Sequence, residues 1–261
     1  MNIRALEEAL GRSILETVRE EPRIAVAYSG GLDSSIIAHL SSRIAKVQCY
    51  TCAVERSFDA RNAERAATLE GLELSMILLN QNNLANLARD ASNILHSNNP
   101  VRISYTIPII SVLHDCRETL VLTGSGADEL FGGYAKYSSV KDPSSMMALD
   151  LEKLESEAEL LRREAAVHGK RIGFPFISKN VVSLAAEIPL EEKIDASGRK
   201  ILLRQLAKSL NLPSHDRPKK AAQYSSGVMK EMERIAKSEG KTVSTWISTL
   251  HSARPTRAQS P

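Results

Sequence analysis

Aromatic side chains make up only 4% of the 261 residues, which leaves few flat surfaces on which nucleic-acid bases could stack. No run of about 18 apolar residues occurs, so no membrane-spanning helix is predicted. The opening residues, Met1-Asn-Ile-Arg-Ala-Leu-Glu-Glu8, have no secretory character, and a soluble cytoplasmic protein without a membrane partner is the expectation. Charge of one sign is not in excess either. A formal net charge of +3, with 25% charged residues, neither demands nor excludes a nucleic acid. Two phosphate-binding patterns are missing. Without Gly-x4-Gly-Lys-Ser/Thr there is no P-loop for terminal phosphate transfer, and no Gly-x-Gly-x-x-Gly opens the first α/β helix for a dinucleotide. No internal repeat is present.

Cysteine is nearly absent. Cys49 and Cys52 form a C-x-x-C which, with Cys116, has the ligand types of an iron–sulfur cluster. However, Val47 to Val54 reads as a strand, and an offset of three residues puts the two thiols on opposite faces. Buried or half-buried thiols are the simpler reading.

What is present is concentrated in residues 26–35, Val-Ala-Tyr-Ser-Gly-Gly-Leu-Asp-Ser-Ser. Arg23 to Tyr28 reads as a buried strand, and Ile36, Ile37, Leu40 and Ile44 fall on one stripe of the helix that follows. Gly30 and Gly31 let the backbone turn tightly and approach an anion. The first amides of the helix lack internal partners and point at it. Ser29, Ser34 and Ser35 add hydroxyl donors. Asp33 is repulsive beside phosphate oxygens unless a divalent cation lies between, so the segment predicts a pyrophosphate cradle with Mg2+, in an enzyme that splits ATP into AMP and pyrophosphate. The plain alternative is a tight strand-to-helix turn.

Strands are expected at 46–54, 72–79 and 119–123, with helices at 3–20, 59–70, after Asn80, and at 103–114, entered through Pro108. That alternation predicts an α/β fold, a parallel sheet with helices on both faces. From about residue 140 the pattern turns helical. Leu151, Leu154, Ala158, Leu161 and Ala165 form one apolar stripe, and helices are expected near 178–187, 198–210 and 228–238. The domain reading is therefore an α/β ATP-pyrophosphatase domain at 1–140, a C-terminal helical lobe contributing to the site at 141–250, and a flexible tail at 251–261.

A second motif, Gly124-Ser-Gly-Ala-Asp-Glu-Leu-Phe-Gly-Gly-Tyr134, follows the strand ending at Thr123. Ligands of open parallel sheets bind beyond the carboxyl ends of the strands, where strand order reverses. Both loops follow strands, so Asp128 is placed to complete, with Asp33, the oxygen ligands of Mg2+. A glycine-rich turn with capping acids is the competing reading.

With both motifs in hand, the chain resembles the synthetase domain of glutamine-dependent asparagine synthetase, and by extension β-lactam synthetase, among the N-type ATP pyrophosphatases. The resemblance runs through Ser29 to Ser35, Tyr105 to Pro108, Gly126 to Tyr134, Phe174 to Ile177, Lys200 to Arg204 and Lys219 to Gly227, in order over roughly residues 20–230. It implies the fold of the adenine nucleotide alpha hydrolases. It also implies that the carboxylate of a small substrate such as aspartate attacks the α-phosphate of ATP, giving an acyl-adenylate that ammonia then converts to an amide. By the same resemblance Lys219 or Lys220 contacts the α-phosphate, Ala53 and Val54 hold adenine through backbone groups, and Leu32 packs beside the nucleoside. Gly124 and Gly126 line the nucleotide site.

Two departures qualify the resemblance. No cysteine follows Met1, and the helix before the first strand leaves no room for a glutaminase domain, so ammonia is expected from solution or a separate glutaminase subunit. Ser125 stands where asparagine synthetases carry a glutamate that helps deprotonate the amine, and a neutral hydroxyl cannot do so directly. Two other readings stay open: an RNA-modifying ATP pyrophosphatase, disfavoured by the lack of aromatics, and a non-catalytic ATP-binding relative or subunit of a larger amidotransferase.

Overall fold

The computed structural model describes residues 3–195, 198–216 and 225–251. Five parallel strands form the central sheet: β1 (Arg23–Ala27), β2 (Lys46–Val54), β3 (Glu73–Leu79), β4 (Leu120–Leu122) and β5 (Arg171–Gly173), in the order β3-β2-β1-β4-β5. Strand order reverses beside β1. The chain runs from β1 outward through β2 to β3, then returns to place β4 on the other flank of β1, with Ala25 opposite Val121 and Val26 opposite Leu122. The carboxyl ends of β1 and β4 therefore bound a crevice of the kind that holds ligands in open α/β sheets.

Period-two alternation sorts the strand residues onto two cores. Ile24, Val26, Val47, Cys49, Leu120 and Leu122 pack on one face, under α1 (Ile3–Val18), α2 (Leu32–Ser42), α3 (Phe58–Glu70), α8 (Lys179–Ala186) and α10 (Ile201–Ser209). Ala25, Tyr50, Cys52 and Val121 pack on the other, under α4 (Gln81–Leu95), α5 (Pro100–Asp115), α7 (Pro143–Val167), α11 (Val228–Ser238) and α12 (Val243–Leu250). The short α6 (Ala127–Phe131) follows the second motif. α9 (Leu190–Lys193) leads into a small hairpin, β6 (Ile194–Asp195) and β7 (Gly198–Arg199). This is the α/β architecture expected from the sequence, with helices on both faces. Among the described residues no helix is long and apolar enough to cross a membrane.

Three local details differ from the sequence reading. The helix expected at 103–114 and entered through Pro108 spans Pro100–Asp115: Asn99 accepts the amides of Val101 and Arg102, Pro100 occupies the first turn, and Pro108 lies inside the helix, not at its entry. α2 begins at Leu32, so Asp33 already belongs to its first turn. Beyond residue 140 the chain also returns to the sheet: β5, only three residues long, pairs with β4 through Leu120 to Leu122. Arg171-Ile-Gly173 lacks the apolar run, Leu120-Val-Leu122, that announces the equally short β4. The expected tail from residue 252 onward lies outside the described residues.

Candidate active site

Between β1 and α2 the chain turns at Gly30, whose φ of 64° lies in the left-handed region. The serines of the turn bind one another. The Gly31 amide donates to Ser29 Oγ (3.2 Å), the Ser29 amide to Ser34 Oγ (3.2 Å), and Ser34 Oγ to the Gly31 carbonyl (3.2 Å). Ser29 and Ser34 thus shape the concave loop. Ser35 does not join them: it is fully buried, its amide is already spent on the Gly31 carbonyl, and its hydroxyl donates to Glu70 Oε1 on α3 at 3.0 Å. The expectation that Ser35 supplies a hydroxyl to the phosphates is corrected here. One helical step turns its side chain into the core, where Tyr28 also reaches Glu70, at 3.2 Å.

The second motif lies against the first. A side chain on Gly124 would come within 2.9 Å of Asp33 Cβ and 3.1 Å of the Ser34 amide, so the loops touch through a glycine with no room for more. Gly126, at φ 101°, turns the chain into α6, tight against Phe176 and Ile177. Ser125 is half-buried between them, its amide donating to Thr123 Oγ1.

The two aspartates that the sequence placed on one site meet, and they meet on a lysine. Lys200, 3% exposed, puts Nζ 2.6 Å from Asp33 Oδ2 and 2.6 Å from Asp128 Oδ1. Burial alone would pull this ammonium's pKa down. The attraction of Asp128 and Asp33 outweighs it and holds the group above the ordinary lysine range. Gly133 makes the approach possible, because any Cβ there would fall 1.7 Å from Asp128 Oδ1 and 2.3 Å from Lys200 Cε. Lys200 itself takes a left-handed φ of 57° at the start of α10, which carries its side chain inward from the hairpin.

The carboxylates fit a hard divalent cation. Their two lysine-bound oxygens lie no more than about 5 Å apart, and two carboxylates so close are the oxygen donors that Mg2+ takes. Asp33 and Asp128 would hold the ion beside the cradle, with Lys200 as the resident positive charge.

Next to Asp128 stands a group that the sequence reading gave no role. Glu129 is buried and accepts a 2.7 Å hydrogen bond from the Tyr134 hydroxyl. Burial and the Asp128 charge push its carboxyl up to about 7, against the pull of Tyr134. Lys200 was within reach of sequence reasoning as the first residue of one of the matched stretches. Nothing in its spacing shows that it crosses 167 residues to Asp33.

The adenine expectation changes in part. Val54 ends β2, but its amide donates to the Ser226 carbonyl at 2.9 Å and its carbonyl accepts from the Ser57 amide at 3.0 Å. Gly227, at φ 81°, packs on Val54 Cβ, and Ser225 donates to Asp59 on α3. The segment 225–227 therefore covers the end of β2, and the Val54 amide is not available to a base. Ala53 is fully buried in the strand beside it, and Leu32 is half-buried at the start of α2. Lys219 and Lys220 lie outside the described residues. The cysteines are free and buried, Cys49 on one face of the sheet and Cys52 on the other, and burial pushes both thiols up to about 12, which is inconsistent with a shared cluster.

Fold and site together define an α/β protein with a glycine-rich turn after β1 and a paired-aspartate centre at the switch point of its sheet. A family model described as Asparagine synthase matches residues 5–165 and 135–254. The chain belongs to the asparagine synthase family. It is 30% identical over 279 aligned residues to "Putative asparagine synthetase (glutamine-hydrolyzing) 1" of Methanocaldococcus jannaschii, covering 90% of this chain and 51% of that protein. It is 34% identical to the human "Asparagine synthetase domain-containing protein 1" over 44% of this chain and 20% of that one. The chain thus spans about half the length of the archaeal relative, and less of the human one. Among solved structures, an NMN synthetase from Francisella tularensis overlays with a TM-score of 0.47 at 13% identity, covering 98% of this chain and 89% of its own. An NH3-dependent NAD synthetase from Campylobacter jejuni overlays at 0.46 and 17%, covering 97% and 93%. At these scores neither overlay bears on the chemistry.

Proposed function

We propose that this chain is an AMP-forming amide ligase, which activates a small carboxylate with ATP and passes the acyl group to ammonia. The observation that carries the reading is the convergence of Asp33 and Asp128 on Lys200 at the mouth of the β1–β4 crevice, directly against the Gly30–Gly31 cradle. Membership of the asparagine synthase family favours aspartate as the carboxylate.

In this reading the amides at the start of α2, in the loop that the Ser29 and Ser34 hydroxyls shape, bind the β- and γ-phosphates. The substrate carboxylate attacks the α-phosphorus, the bond to the bridging oxygen breaks, and pyrophosphate departs from an acyl-adenylate. Ammonia then attacks the acyl carbon and AMP leaves. Mg2+ held by Asp33 and Asp128 would neutralise the phosphate oxygens. Lys200 stays positively charged throughout and stabilises the negative charge that grows on the departing pyrophosphate. Lys219 and Lys220, in the segment before Ser225, are assigned the α-phosphate contact. Ser125 faces the amine step without a carboxylate of its own, so ammonia enters already neutral, from solution or from a separate glutaminase subunit.

The test is direct. Purified protein incubated with ATP, Mg2+, aspartate and ammonium should release AMP and pyrophosphate and form asparagine; release of ADP instead overturns the mechanism. Other carboxylates in place of aspartate map the acyl acceptor in the same assay.

A further inference from the structure

On the opposite edge of the sheet from the cradle, the last turns of α5 and α7 bring together a second set of ligand-type side chains. His168 Nε2 lies 2.9 Å from Glu164 Oε1, and His114 Nε2 lies 3.5 Å from that same oxygen. The two imidazole centroids are 4.4 Å apart, and all three ligand atoms fall within 4.8 Å of one another. Glu164 lies in the last turn of α7 and His168, four residues on, caps that helix, while α5 beside it supplies His114. A tetrahedral zinc site with bonds of about 2.0–2.1 Å has donor-to-donor edges of roughly 3.3 Å. The cluster already has that scale.

Its charges are those a divalent ion needs. Two neutral imidazoles and one carboxylate supply a single negative charge, and Asp90 of α4 lies close enough to interact electrostatically with all three residues. Of the nearby cations, Lys170 Nζ donates to the carbonyls of Leu113 and Cys116, and Arg89 stands 3.8 Å from Asp90. Side-chain exposures of 24% for His114, 20% for Glu164 and 36% for His168 leave a path for an ion while keeping the carboxylate largely shielded.

We propose that His114, Glu164 and His168 form a zinc site, with Asp90 balancing its charge, that clips α5 to α7. Position fixes its role. His114 lies just before β4 and His168 just before β5, at the amino ends of those strands, whereas the phosphate cradle and Asp128 follow the carboxyl ends. The ion is therefore structural and takes no part in ATP chemistry.

The untagged full chain, stripped with a chelator and held in excess Mg2+, is titrated with Co2+ and then Zn2+. One equivalent of Co2+ should give the visible absorption of a four-coordinate ion, be displaced by Zn2+, and raise the melting temperature. His168→Gln keeps a donor for Glu164 but not an imidazole. It and His114→Ala should weaken binding by more than the roughly 10- to 100-fold typical of losing an outer-shell partner, with AMP-forming activity unchanged. His39, His96, His215 and His251 remain in both variants. One equivalent of metal that neither variant disturbs, or no spectral change in the parent protein, overturns the assignment, and circular dichroism of each variant separates lost binding from lost folding.

Discussion

Lys200 stands where two carboxylates would otherwise face each other across the crevice, and removing it should have two separable effects. Lys200→Met leaves Asp33 and Asp128 to repel, so stability to urea should fall by up to about 3 to 5 kcal/mol, the range for breaking a buried pair. Pyrophosphate release should slow on the order of 100- to 1000-fold. Mg2+ should restore part of the lost stability in Lys200→Met but not when Asp128→Asn is added; a variant with parent stability and rate would show the ion pair to be idle. Glu129 gives a pH dependence. Its folded carboxyl is raised from 4.5 to about 7, so the folded state holds a proton that the unfolded chain has released. The stability it contributes is whole below about 4.5 and is lost as pH rises through about 7, on the order of 3 kcal/mol in all. Urea midpoints of the nucleotide-free protein between pH 4.5 and 8 should therefore slope downward, and Glu129→Gln should flatten that slope. The sequence announced Asp33 and Asp128 through their glycine-rich loops. Lys200 and Glu129 lay inside matched stretches without a role of their own, because what singles them out is burial beside other charges, and burial is not a local property.

At the scale of elements, α2 has two jobs that adjacent serines divide between them. Ser34 faces the cradle and Ser35 ties α2 to α3 through Glu70. Ser34→Ala should raise the KM for ATP. Ser35→Ala should leave that KM alone and lower stability by about 1 kcal/mol, the net worth of one hydrogen bond. A KM change in Ser35→Ala equal to that of Ser34→Ala would return Ser35 to the phosphate site. The helices themselves were largely legible: the apolar stripe of α7 and the extents of α8 and α11 follow from period 3.6, and the cap at Asn99 explains why α5 starts at Pro100 and not at Ile103. β5 was not legible, since Arg171-Ile-Gly173 lacks the apolar run that announced the equally short β4.

For the whole molecule, the nucleotide should act as a bridge between β1, β4 and the hairpin that delivers Lys200. MgATP at 100 times its Kd should stabilise the fold by about 2.7 kcal/mol, and chelation of Mg2+ or Asp128→Asn should abolish most of that increment in a thermal melt. An increment insensitive to both would favour a non-catalytic ATP-binding relative. What the amino-acid sequence determined by itself was everything encoded within one segment: the strand-turn-helix of the cradle, the second glycine-rich loop, the parallel alternation of elements and the opposite faces of Cys49 and Cys52. These depend on periodicity and on backbone freedom, which neighbours in the chain set. Only the tertiary structure decided that a lysine links the aspartates, that Ser226 takes the Val54 amide, that Ser35 turns inward and that two histidines from different helices share one glutamate. Each of these joins residues far apart in the chain, and their meeting is fixed by packing of the two cores around the sheet, not by any spacing along it.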